Sequence, residues 1–136
     1  MTYALDTNAV SALMKGNAAM ARHLRSVQRR DVVIPQPVIA EIAYGIERLS
    51  RSRRRTSLAE RFELIRTELG RAEWTDAVSD MFGAIKSALE RRGQRIEDFD
   101  VAVAAHALAV KAVLVTANAK HMMRVQGLVV EDWARD

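Results

Sequence analysis

Four short stretches of this sequence place oxygen-bearing side chains where an apolar run stops or turns. Asp6-Thr7-Asn8 follows Thr2-Tyr3-Ala4-Leu5, and Glu41 lies within Val38-Ile39-Ala40-Glu41-Ile42. Asp98 and Asp100 flank Phe99 ahead of a long apolar segment, and Thr116-Ala117-Asn118 follows Val113-Leu114-Val115. Carboxylates brought together repel and raise one another's pKa unless a cation sits between them. An all-oxygen donor set of this kind suits Mg2+ or Mn2+, with waters completing an octahedron. Such a site can activate water and neutralise charge on a scissile phosphate. The chain has no cysteine, which excludes disulfides and thiolate metal sites and leaves oxygen or imidazole as the possible ligands.

Each of these residues also has a plainer reading. Asp6, Thr7 and Asn8 suit a helix N-cap, and capping also explains one of the two later acids, most naturally Asp98. Glu41 falls about 110° from the middle of an apolar helix face at the α-helical period, the shoulder where boundary glutamates are common. His106 sits inside an apolar segment, where a hydrogen-bonded core histidine is the ordinary outcome, while His23 and His121 read as surface residues.

The elements that must position these groups alternate. Thr2 to Leu5 reads as a strand, Ala9 to Lys15 as a helix, and Ala18 to Arg29 as a second helix with Ala21, Leu24 and Val27 on one side. Val32-Val33-Ile34 is a β-branched run stopped by Pro35 and Pro37, so a strand gives way to a helix running to about Leu49 with Val38, Ile39, Ile42, Ile46 and Leu49 facing inward. Arg48, Arg51, Arg53, Arg54 and Arg55 form a basic elbow before a helix carrying Leu58, Phe62, Ile65 and Leu69. Glu73-Trp74 suggests a short strand, and Thr75 caps a helix with Val78, Met81, Phe82, Ile85 and Leu89 on one face. Val101 to Val110 is apolar on nearly every side, as in a helix buried in the middle of a protein. Val113 to Val115, a short piece at Lys120 to Met123, a last strand at Leu128 to Val130, and an anchoring Trp133 complete the chain.

The 136 residues, 49% hydrophobic and 28% charged, suffice for one real core, so a single domain over 1–136 is expected. Twenty-one Lys and Arg against 17 Asp and Glu give a net charge of +4, which favours an anionic partner. No long apolar run suggests a membrane span, and Asp6 interrupts the place where a secretory leader would be greasy; a cytoplasmic protein is the expectation.

Alternation of strands and helices produces a parallel sheet clad on both faces. A helix that follows a strand starts at that strand's carboxyl edge, so Glu41 falls beside Asp6. A helix that precedes a parallel strand begins at the same edge, so Asp98 and Asp100 arrive there as well. Thr116 and Asn118 complete the ring.

In combination and in order, Leu5-Asp6-Thr7-Asn8, Val38 to Ile46, Asp98 to Ala107, and Leu114 to Asn118 resemble PIN-domain ribonucleases, in particular the VapC-type toxins of bacterial toxin-antitoxin pairs. The resemblance implies a PIN-like three-layer α/β/α fold with a short-stranded, mainly parallel sheet and a helical hairpin insertion. It implies that Asp6, Glu41 and Asp100 bind the metal, with Asn8, Thr116 and Asn118 in support and Asp98 a further candidate. Where such proteins commonly carry a fourth acid this chain has Asn118 and then His121, which points to one divalent ion rather than two fully ligated ones. The implied activity is endoribonucleolytic cleavage of a structured RNA, such as tRNA or a ribosomal RNA loop. The implied partners are an acidic or amphipathic antitoxin and a second copy of the chain. The arginine elbow is a candidate contact for RNA or antitoxin, with a solvated bend as its plainer reading.

Two rivals belong to other classes. A phosphorelay receiver needs an acid pair after its first strand and a phosphoacceptor Asp ending a mid-chain apolar strand, and neither is present. A catalytically inactive PIN-like RNA- or protein-binding module would keep the same pattern without the metal.

Overall fold

The computed structural model describes residues 1–135. Strand β1 (Thr2–Leu5) leads to helices α1 (Thr7–Met14) and α2 (Ala18–Arg25), and a 3-10 turn at Arg29–Asp31 precedes β2 (Val32–Pro35). Helices α3 (Gln36–Glu47) and α4 (Arg53–Glu68) form the hairpin, followed by β3 (Gly70–Ala72), α5 (Asp76–Arg91) and α6 (Asp98–Ala109). Then come β4 (Ala112–Val115), α7 (Ala119–Met122) and β5 (Val130–Glu131).

All strand pairings are parallel, in the order β3-β2-β1-β4-β5. The chain steps outward from β1 through β2 to β3, then returns across the sheet to β4. With right-handed crossovers, the helices of the outward and return paths cover opposite faces, giving the expected α/β/α layering. The reversal of direction falls between β1 and β4, and that is where an open parallel sheet leaves a crevice at its carboxyl edge.

Burial explains the apolar runs. Residues Val101 to Ala107 of α6 are all buried, because this helix is covered by the sheet on one side and by α5 on another. Its alanines at 102, 104, 105 and 107 allow that close approach. His106 is fully buried; its Nδ1–H donates to the Ala102 carbonyl at 2.7 Å and its ring meets Trp74 edge-on at 5.1 Å. Burial pushes its pKa down, so the neutral ring is the stable form. Trp133 anchors the tail as expected: it is buried, stacks on His23, packs against Tyr3, and donates its indole N–H to Glu131.

Several boundaries differ from the sequence reading, three of them with an identifiable cause or consequence. The strand expected at Glu73-Trp74 lies at Gly70–Ala72, where β3 pairs with β2 alone as an edge. Backbone pairing, rather than β-propensity, selects those residues, and Trp74 stays half exposed against Phe82 and His106. The last strand is Val130–Glu131 instead of Leu128 to Val130. Helix α2 ends at Arg25, where Ser26 turns its hydroxyl back onto the His23 carbonyl at 2.6 Å.

Leu114, fully buried in β4 between β1 and β5, tests the core. Leu114→Ala is expected to cost about 2–5 kcal/mol in urea unfolding. Leu64→Ala, at a side chain 63% exposed on α4, is expected to change stability by less than about 0.5 kcal/mol.

Candidate active site

Asp6 is both a cap and a site residue. Its extended backbone ends β1, and its Oδ1 accepts the Ala9 amide N–H at 3.0 Å as the N-cap of α1. The Asp6 amide in turn donates to the Val115 carbonyl at 3.1 Å, which ties the end of β1 to the end of β4. The side chain is only 5% exposed. Burial lifts its pKa from 3.8 to about 6, against the pull of a hydrogen bond from Thr116 and that of the Ala9 amide; the nearby charge of Asp100 adds to the rise.

The small polar residues after β4 serve as supports. Thr116, itself buried, bonds through its hydroxyl to Asp6, and its Oγ1 accepts the Asn118 amide at 2.9 Å. Asn8 accepts the Ala117 amide through its side-chain oxygen at 2.8 Å. Asn8, Thr116 and Asn118 form a brace between the β1–α1 and β4–α7 connections. Asn8 also lines the crevice around Asp6, whereas Thr116 lies behind Asp6 and Asn118 lines a neighbouring concavity, so these two do not complete the expected ring.

Glu41 reaches the crevice from the second turn of α3, and Asp100 from the first turn of α6. Helix α6 begins here, so its dipole favours the acid at its start. Asp100 is half-buried, and its pKa is raised first by burial and then by the charges of Glu97 and Glu41, with His121 pulling the other way. Asp6, Glu41 and Asp100 line one crevice of about 730 Å3, together with Asn8, Lys15 and Glu97. Among the described residues no three acids or histidines form a ready-made cation cage, so these carboxylates share a crevice and not a closed ligand shell. Thr7 is also among the lining residues, and its hydroxyl oxygen is buried without a hydrogen-bond partner among the described residues.

Asp98 goes elsewhere. The N-cap of α6 is Glu97, without a side-chain cap bond, and the exposed Asp98 carboxylate pairs with Lys86 of α5 at 3.1 Å, outside the crevice. The capping role expected for Asp98 is therefore not the one the structure gives it. Glu97 takes the place in the crevice wall; helical spacing carried that signal, since residues three apart share a face and Glu97 lies three before Asp100.

The arginine elbow divides. Arg55 straps the hairpin, reaching the Leu49 carbonyl at 3.0 Å and Glu47 at 3.2 Å. Arg48 and Arg54 line a concavity beside Glu41, which also holds Lys15 and the exposed Tyr44. Arg51 lies with Arg55 along a separate groove of about 980 Å3 against α4, where no acids of the crevice are found. Arg53 is exposed and lines neither.

Because the Asp6 carboxyl titrates higher in the folded chain than in the unfolded one, its ionisation works against folding. That penalty is absent below pH 3.8, grows as pH rises, and is complete above about 6. In EDTA, Asp6→Asn is expected to be more stable than the parent at pH 7.5 by about 1–3 kcal/mol. The difference in melting temperature should shrink towards zero near pH 4; a difference independent of pH would contradict this account of Asp6.

Comparison with known proteins places this geometry. The PIN domain family model matches residues 3–128. The chain is 29% identical over 135 residues to ribonuclease VapC2 of Rickettsia felis, covering 98% of each. It is 27% identical over 134 residues to the tRNA(fMet)-specific endonuclease VapC of Shigella flexneri, covering 98% of this chain and 99% of the other. A crystal structure of VapBC2 from Rickettsia felis, bound to a DNA fragment from their promoter, contains a chain that superposes with a TM-score of 0.88 at 26% identity, covering 98% of this chain and 99% of that one. With the family model spanning nearly all of its length and the crevice at the expected sheet edge, this chain belongs to the PIN-domain family.

Proposed function

We propose that the chain is a VapC-type toxin, an endoribonuclease that depends on one divalent cation and works in the cytoplasm on a structured RNA such as tRNA or ribosomal RNA. The observation that carries this reading is the meeting of Asp6, Glu41 and Asp100 in one crevice at the switch point of the sheet. The curated relatives are named as ribonucleases or as a tRNA-specific endonuclease, which supports the same class of substrate.

The donor set fits a hard cation. Asp6, Glu41 and Asp100 all offer carboxylate oxygens, and Asp6 and Asp100 both bear raised pKa values, first through burial and then through neighbouring negative charge. The open arrangement suits Mg2+ or Mn2+, which keep several waters and need few protein ligands. Asp6, Asp100 and Glu41 would hold the ion, which would supply Lewis acidity for hydrolysis of a phosphodiester.

The remaining residues act around that centre. Thr116 and the Ala9 amide orient the Asp6 carboxylate, and Asn8 fixes the loop that carries Thr116. Lys15, Arg48 and Arg54 lie on the Glu41 side, where they would meet the RNA backbone. The VapBC neighbour supports an antitoxin as the regulating partner, and a homodimer is the assembly this reading carries.

Cleavage of a panel of tRNAs and ribosomal RNA fragments tests the proposal. The parent chain is expected to cut with Mg2+ or Mn2+ and to stop in EDTA. Asp6→Asn, Glu41→Gln and Asp100→Asn should each lower the rate on the order of 100-fold or more. Mg2+ should raise the melting temperature of the parent and not of Asp6→Asn or Asp100→Asn. Cleavage that survives EDTA, or full activity in both aspartate variants, would sink the proposal.

A further inference from the structure

The acidic crevice does not end at Asp100. Glu97 and Asp100 also form the wall of a second concavity, of about 550 Å3, whose other lining includes Asn118, Arg95, His121 and Arg124. On the opposite side, Thr7, Ser11, Lys15 and Glu41 are shared with the concavity of Arg48 and Arg54. Three depressions therefore run into one another across the sheet edge, acidic at the centre and basic at either end.

The Arg95 end is held in place. The Arg92 guanidinium donates to the Arg124 carbonyl at 2.6 Å, and the Arg124 guanidinium donates to the Arg95 carbonyl at 3.0 Å. This strap fixes the α5–α6 connection against the turn that follows α7. Asn118 bonds to His121 Nδ1 at 3.3 Å; with the amide donating, the ring proton is left on Nε2 as a free donor. Among the described residues no carboxylate lies within ion-pair distance of Arg95 or Arg124. One wall thus presents two guanidinium groups without carboxylate partners and an imidazole N–H, beside the place where a phosphodiester would be cut. Guanidinium N–H groups match phosphate oxygens in both charge and geometry.

We propose that this pocket seats the backbone phosphate adjacent to the scissile one. An RNA strand then enters over Arg48 and Arg54, crosses Asp6, Glu41 and Asp100, and leaves over Arg95, His121 and Arg124. This rests on the ribonuclease reading and adds to it the path of the strand and the residues that grip it on the α6–α7 side. Arg95 acts through charge, while Arg124 both binds and positions.

Binding of a short fluorescein-labelled single-stranded oligoribonucleotide to the full chain, followed by anisotropy in EDTA over a KCl series, tests the assignment. The Arg95 side chain makes no hydrogen bond or ion pair among the described residues, so Arg95→Gln should melt at the parent's temperature. It is expected to weaken RNA binding by roughly threefold to tenfold at low salt. The slope of log affinity against log salt should also fall by about 0.7, as expected when one phosphate is no longer neutralised. His121→Gln should weaken binding less, and Arg124→Lys, which keeps the charge, should retain the parent's slope. Parent affinity and slope in both Arg95→Gln and His121→Gln overturn the phosphate pocket while leaving metal-dependent cleavage by the parent intact. Failure of the parent to bind RNA overturns the pocket, whereas the ribonuclease reading falls only if the parent also leaves every tRNA and ribosomal RNA fragment uncut with Mg2+ or Mn2+. Loss of poly-glutamate binding in Arg95→Gln, with RNA binding unchanged, assigns the pocket to an acidic peptide and overturns the proposal.

Discussion

A carboxylate almost out of water, at the tip of the central strand, sets the terms for the rest of this molecule. Asp6 is 5% exposed, and an aspartate so placed resists ionisation unless donors and positive potential surround it. The structure supplies the Ala9 amide at the start of α1 and the hydroxyl of Thr116. These do not cancel the effect of burial, and the group still titrates near 6. A residue kept at such a disadvantage, with Asp100 close enough to add to it, is the arrangement that functional sites show more often than structural ones.

Sheet order explains why the other acids come from where they do. With β1 between β2 and β4, whatever follows β2 and whatever precedes β4 both open onto the end of β1. Glu41 uses the first route and Asp100 the second. The three carboxylates therefore need no local motif, only strands of four residues and helices that begin at the right edge. The same topology spreads basic residues outward from the centre, because the α3–α4 bend lies beyond Glu41 and the α5–α6 connection lies beyond Asp100.

Much of this was legible in the sequence because its signals were periodic. Apolar spacing gave α3, α5 and the buried α6, short valine-rich runs gave β2 and β4, and the stretch from Thr2 to Leu5 that stops at Asp6 gave β1. Edge strands were the weak point: β3 at Gly70–Ala72 and β5 at Val130–Glu131 pair with one neighbour each, and backbone hydrogen bonding can draw in residues of little β-propensity. Asp98 gave up its expected cap position to Glu97 for a different reason. Lys86 lies on another helix, so nothing local to the acid run shows that it claims Asp98. The arginine elbow read as one basic patch, yet Arg55 bonds back to its own hairpin while Arg48 and Arg54 turn towards Glu41. Spacing shows which residues share a helix face; it does not show which of several like charges is already in use.

The bond from Asn8 to Ala117 joins residues 109 positions apart, and Asp6 depends on Thr116 across a similar span. The acid that ends β1 is thus oriented by residues that follow β4, far along the sequence. Contacts of such high sequence separation form late, after local helices and after the loop between them has closed. The brace on Asp6 therefore forms only when the first and last βα connections of the sheet have met, so the crevice is incomplete in any partly folded state that lacks that meeting.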